Sequence, residues 1–328
     1  VTLDPDVRYV TNSETWTWKR CRRRWYIQYF RKLEPIRQPF TGPMKTGTRV
    51  HKALELEYSP NSTVTLLEAY EQVVAEEKAR LENEGSLVLE ADVKAYEKDV
   101  DLGRAMIEGF EEWRAETGVD AGLQVTDVEQ KVDVASGIPG VRLLGKMDVR
   151  GFRKIDGARY FIDHKGVQSI VNYDGDRVVQ FLHYHLLELL YLMEQHPGMP
   201  LSELPVCKGT AVNLVRRVKR TASAKPPFYD RVWVYHSLDE LRTYWDQLHG
   251  MINDILRAEQ LLEEGASHNL VAYPTPDYSC EWQCPFFDVC GLMNDPASDS
   301  EGYISRYLRE YNPVERYATD PEDEEQDA

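Results

Sequence analysis

Cysteine is scarce in this chain, and long apolar runs are missing. There are five cysteines, and three of them fall within eleven residues as CEWQCPFFDVC. That is too few and too uneven for a secreted disulfide framework, and the clustering favours a metal or cluster site. No run of eighteen apolar residues occurs, which removes a transmembrane helix. The opening VTLDPDVRYV has no basic region followed by an apolar core, so it does not read as a secretory signal. The expectation is a cytoplasmic protein with no membrane partner. Proline is absent from 63 to 117, a stretch rich in Glu, Lys, Ala and Leu. It reads as two or three helices, broken near Gly85 and ended by Gly118. No internal repeat is present.

Positive charge is also in deficit: 39 Lys and Arg stand against 55 Asp and Glu, a net charge of −16. Taken whole, that argues against nucleic acid, but distribution matters more than the total. Five acids lie in the last eight residues, and 318–328 reads as a disordered acidic tail. Two basic clusters remain: Lys19, Arg20, Arg22, Arg23 and Arg24, and then Arg216, Arg217, Lys219 and Arg220. Each could be a solvated face or a phosphate contact. At 328 residues and 42% hydrophobic, the chain can bury a substantial core in one large domain or two modest ones.

Ser13 is a plausible N-cap for a helix through ETWTWKRCRRRWYIQYF, with Trp18, Cys21, Trp25 and Tyr29 on one face. Trp16, Trp18, Trp25 and Tyr26 are either core or stacking platforms for unpaired bases. LEPIRQPFTGP reads as a turn-rich link. GTRVHKALELEY reads as a helix carrying His51 and Glu55 one turn apart. From Val125 the pattern changes to strands: VTDVEQKVDV, VRLLGKMDVRGF and RYFIDHKG, joined by short turns as an antiparallel meander. A helix follows from about Tyr173 to Glu194, then strands in CKGTAVNLVRRV and FYDRVWVYHS. A long helix over 238–264 and a short one around Tyr303 to Tyr311 complete the pattern.

Asp148 and Asp163 end apolar runs on adjacent strands, where charge is unfavourable without a partner. Hairpin geometry brings their side chains to one face. Two carboxylates so placed repel and need a cation, and oxygen donors suit Mg²⁺ or Mn²⁺. Alternation puts Lys165 on the face of Asp163 and His164 on the other. A lysine beside a bound cation and a phosphate can orient the attacking water and offset developing charge. The alternative is an exposed strand with an ordinary Asp–Lys pair.

Four short motifs stand in order: Gly47, His51 and Glu55 in GTRVHKALE; Gly145 and Asp148 in GKMD; Asp163 and Lys165 in DHK; Gln180 and Tyr184 in QFLHY. This set resembles the PD-(D/E)XK nucleases, in particular the RecB/AddB-like exonuclease branch that includes the CRISPR-adaptation nucleases and many phage exonucleases. The resemblance implies an α/β fold, a restriction-endonuclease-like mixed sheet flanked by helices. It implies His51, Asp148, Asp163 and the backbone carbonyl of His164 as metal ligands. It implies Lys165 as the catalytic lysine, with Gln180 and Tyr184 positioning it or the DNA. His51 taken alone is as well a structural histidine, Glu55 reads as a surface or supporting group, and His183 and His185 read as packing residues.

Cys21 lies far upstream of Cys280, Cys284 and Cys290. One N-terminal and three C-terminal cysteines resemble the 4Fe-4S staple of the same branch, with zinc as the other candidate occupant. Cys207 reads as a core thiol. The whole implies one nuclease domain over 1–317, with a helical insertion at about 60–118, a core at about 123–236 and a cysteine segment at about 270–312. The expected activity is a Mg- or Mn-dependent exonuclease on DNA ends or single strands, in bacterial or phage recombination and repair. Lys19, Arg20, Arg22, Arg23 and Arg24 are the expected DNA contacts. A helicase or recombinase partner and an oligomer are compatible. The competing readings are a silent DNA-binding module and CRISPR spacer processing.

Overall fold

The structure, a computed structural model, describes residues 2–175, 178–294 and 301–318. The tail expected over 318–328 lies outside the described residues, apart from Ala318. The chain forms two compact units. One is made of Val1–Gln38, Lys131–Gly145 and Leu238–Ala328, the other of Pro39–Gln130 and Lys146–Ser237.

In the first unit, β1 (Arg8–Thr11) runs parallel to the start of β4 (Val141–Arg153). Helix α1 (Asn12–Arg20) begins one step after β1. Its N-cap is therefore Thr11, still extended, whose hydroxyl accepts the Glu14 N–H at 3.2 Å; the expected Ser13 lies inside the helix. The long helix expected here is interrupted. Cys21 is extended (φ −158°, ψ 112°), α2 (Arg22–Trp25) follows, and a π-helical turn over Tyr26–Phe30 ends the segment. Trp18, Trp25 and Tyr29 are buried as the spacing predicts, in a core shared with Ile255 and Ala258 of α7 (Leu238–Glu263). Buried Glu14 anchors this region: Arg8 pairs with it, and the Trp25 indole donates to it at 3.0 Å. β2 (Leu33–Pro35) pairs antiparallel with β8 (Leu308–Glu310). The sequence reads the first as a link and the second as helix, but the helix there is only Glu301–Ile304.

In the second unit, α3 (Pro43–Tyr58), α4 (Leu66–Asn83) and α5 (Glu90–Thr117) enclose a core of Leu54, Tyr70, Met106 and Phe110. A capping box at Thr65 and Glu68 starts α4, and Gly118 (φ +61°) ends α5 in the left-handed region. β3 (Leu123–Ala135) pairs with β4, and each strand begins in one unit and finishes in the other. β4 is antiparallel to β5 (Arg159–Val167), β5 is parallel to β6 (Thr210–Arg216), and β6 is antiparallel to β7 (Tyr229–Val234). The meander stops at β5 because α6 (Val179–Gln195) carries the chain across the sheet, and a crossover returns the next strand parallel. Val149, Ile162, Ala211 and Val215 face the α3–α5 core. Phe161 and Thr210 face α6, against Tyr184 and His185. The result is a mixed sheet flanked by helices. No helix among the described residues is long and apolar enough to cross a membrane.

Candidate active site

Strand register builds the centre. Val149 pairs with Ile162 in the antiparallel β4–β5 ladder, so the next step sets Asp148 across from Asp163. Both belong to the face that carries Arg150 and Phe161, toward α6. The two carboxyl groups are close enough for each to act on the other's charge, and Asp163 is 1% exposed. Burial, together with the Asp148 charge, pushes Asp163 up to about 7, although Lys165 pulls the other way. Burial raises Asp148 as well, but hydrogen bonding and charge from His51 outweigh it and hold Asp148 well below the ordinary carboxylate range.

Lys165 follows two residues on and shares the Asp163 face, as alternation requires. Its Nζ lies 3.1 Å from Asp163 Oδ1 and donates to Gln180 Oε1 at 2.8 Å. The Gln180 amide in turn donates to the Tyr184 hydroxyl. One turn of α6 thus holds the lysine from behind. Burial lowers the Lys165 pKa, but the two carboxylates raise it further, so the ammonium stays charged.

His51 arrives on α3. Its Nε2 is 2.8 Å from Asp148 Oδ2, and its pKa rises because Asp148 outweighs burial. His164 points to the opposite face of β5, among the rings of Tyr58, Phe110 and His51. The Asn213 amide donates to its Nδ1 at 3.2 Å, and burial lowers its pKa to about 3, so the ring is neutral. The structure therefore brings together His51, Asp148, Asp163, Lys165, Gln180 and Tyr184. It also adds Glu129, which the sequence reading did not single out. Ligand atoms of His51, Glu129 and Asp148 lie within 4.8 Å of one another, a group able to hold a metal ion. An imidazole with converging carboxylates, one of them driven toward protonation, suits a hard divalent cation.

His183 and His185 are buried, and burial lowers them to about 4 and about 3. Glu55 is partly exposed. Cys207 is buried, its thiol 3.2 Å from Glu188 and pushed up by burial.

The cysteines lie in the first unit. Burial raises Cys284 and Cys290, and each also feels the sulfurs of Cys21 and Cys280. Arg24 opposes that rise at Cys284 and Arg23 opposes it at Cys290. No three of these sulfurs come within 4.8 Å of one another.

The expected DNA contacts divide. Arg23 is 1% exposed and donates to Ala272 O, Asn269 and Asn294, which leaves no face for phosphate. Arg20 donates to Ser279 and Gln283 beside Cys280, and Arg24 to Gln28. Arg22 lies over the rings of Trp18 and Tyr273, and Lys19 is exposed. Trp18, Trp25 and Tyr26 are core, while Trp16 is half-exposed. In the second cluster, Lys219 pairs with Asp101 and Arg220 with Glu112.

No curated protein matches the chain. Among solved structures, the crystal structure of a candidate exonuclease from Eubacterium rectale is 12% identical, with 87% of each chain covered and a TM-score of 0.43. The model of the PD-(D/E)XK nuclease superfamily matches residues 10–291. That span takes in His51, both facing carboxylates, Lys165 and the α6 glutamine, and the chain belongs to the PD-(D/E)XK nuclease superfamily.

Proposed function

We propose that the protein is a metal-dependent deoxyribonuclease of the RecB-like branch, an exonuclease acting on DNA ends or single strands in bacterial or phage recombination and repair. The observation that carries this reading is the convergence of His51, Asp148, Asp163 and Lys165 in one unit, with Gln180 holding the lysine. Mg²⁺ or Mn²⁺ would supply Lewis acidity and an activated water at neutral pH. Asp148, Asp163, His51 and the His164 carbonyl would hold the ion. Lys165, charged and immobilised by Gln180, would sit where negative charge grows on the phosphate. Tyr184 keeps Gln180 from turning away.

The same reading places a 4Fe-4S cluster on Cys21, Cys280, Cys284 and Cys290. Two N–H groups point at the sulfurs, that of Asp277 to Cys280 at 3.4 Å and that of Phe286 to Cys284, as suits thiolates. Tetrahedral zinc would need sulfurs about 3.8 Å apart, from Zn–S bonds of about 2.3 Å. A cluster bonds each thiolate to a different iron and so accepts sulfurs farther apart than that.

The test is digestion of end-labelled duplex, single-stranded and covalently closed circular DNA with Mn²⁺, run beside Asp163→Ala. Mn²⁺-dependent loss of the linear substrates, survival of the circle and a silent Asp163→Ala variant are expected. DNA that is shifted but never cut by the wild type would end the nuclease reading. Cutting of the circle would end the exonuclease reading.

A further inference from the structure

Leu123, Val125 and Val128 of β3 all pack against the same core. Regular alternation cannot do this, because 125 and 128 differ by an odd step. Alternation therefore breaks before Val128, as at a bulge, and Glu129 just after the break is strained: its φ is +53°, a left-handed conformation that L side chains rarely adopt. Without the bulge, Glu129 would share the face of Leu123 and Val125 and enter the apolar core. With it, Val128 takes the core face and Glu129 turns to Asp148 and Lys146, which share a face of β4. Glu129 Oε1 lies 3.8 Å from His51 Nδ1, and Oε2 contacts the Lys146 ammonium. Strain of this kind persists where the surroundings impose it, often next to active sites.

Exposure divides the pair. The Glu129 side chain is 12% exposed and confined, whereas Lys146 is 40% exposed on a flexible stem. We propose that Glu129 is a third carboxylate of the metal centre and that Lys146 is its resident counter-ion, pairing with Glu129 when no divalent ion is bound and swinging into solvent as the ion arrives. This rests on the metal-dependent reading of the centre. The ammonium keeps three carboxylates together without metal, and it sets the ion concentration at which the centre loads.

The test reads metal binding without DNA. Mn²⁺ is titrated calorimetrically into the full chain and into Glu129→Gln, Glu129→Gly and Lys146→Met. Glu129→Gln is expected to weaken Mn²⁺ binding about 10–100-fold. Glu129→Gly, which relieves the left-handed strain and so guards against a folding defect, should weaken it equally. Lys146→Met should tighten binding about 3–10-fold, the scale of a partly exposed ion pair. Unchanged affinity in both Glu129 variants would overturn the ligand role, and unchanged or weaker affinity in Lys146→Met would overturn the counter-ion role. A wild type that binds Mn²⁺ with these shifts but cuts no DNA would leave this inference standing and remove the nuclease.

Discussion

At the scale of the residue, Asp163 is where function and stability oppose each other. Its ordinary pKa is 3.8 and the fold raises it to about 7, so between roughly pH 4 and 7 the folded chain binds more protons than the unfolded chain. Its contribution is complete below pH 4 and is lost as pH rises through 7. Asp148 runs the other way: its lowered pKa gives stability that is present above pH 4 and lost in acid. With chelator present, Asp163→Asn should therefore gain stability relative to the wild type between pH 5 and pH 8, by on the order of a few kcal/mol, the two matching only below about pH 4. Thermal melts at the two pH values check this, and identical pH slopes in both proteins would refute it. Asp148, Asp163 and Lys165 are legible in the sequence because their chemistry depends on residue type and short spacing, which a string preserves. Glu129 is not, because it reaches the site through a break in strand alternation and a left-handed backbone that only the fold reveals.

At the scale of the element, long periodic segments are legible and short ones are not. Helices α4 and α5 follow from a proline-free amphipathic run with a glycine at its end, and the β3–β5 strands follow from apolar runs between turns. β2 and β8 have three residues each, too few to show a period, and exist because they pair with each other. The break at Cys21 lies within an unbroken helical pattern, and only the folded surroundings of the thiol account for it. Close packing of α4 on α5 rests on a detail that the sequence also hides. A Cβ at Gly103 would collide with the Tyr70 hydroxyl, which donates to Val100 O at 2.8 Å in a buried site. Gly103→Ala should therefore destabilise the protein by about 1–3 kcal/mol, despite alanine's better helix propensity. A chemical denaturation midpoint at or above that of the wild type would show that the two helices yield without cost.

At the scale of the whole molecule, the first unit is assembled from three separated stretches of chain, so something must hold its ends together. Joining Cys21 to Cys280 closes a loop of about 260 residues, and the length-dependent part of that closure entropy is about 5 kcal/mol. A cluster that forms only in the folded state would add its binding free energy to folding. The arginines support this role: Arg23 and Arg24 favour the thiolates of Cys290 and Cys284, and Arg20 holds the segment that precedes Cys284. The basic cluster is thus largely committed inside the protein, which removes the conflict between five clustered cations and a net charge of −16. Protein purified without oxygen should be brown, absorb near 400 nm and lose both iron and several degrees of melting temperature in Cys21→Ser. Cys207→Ser should keep its iron, since that thiol is bound to Glu188 and its pKa is raised away from the thiolate. Colourless, iron-free wild type that melts with Cys21→Ser would show that the aromatic core of Trp18, Trp25 and Phe286 holds the termini together without a cluster.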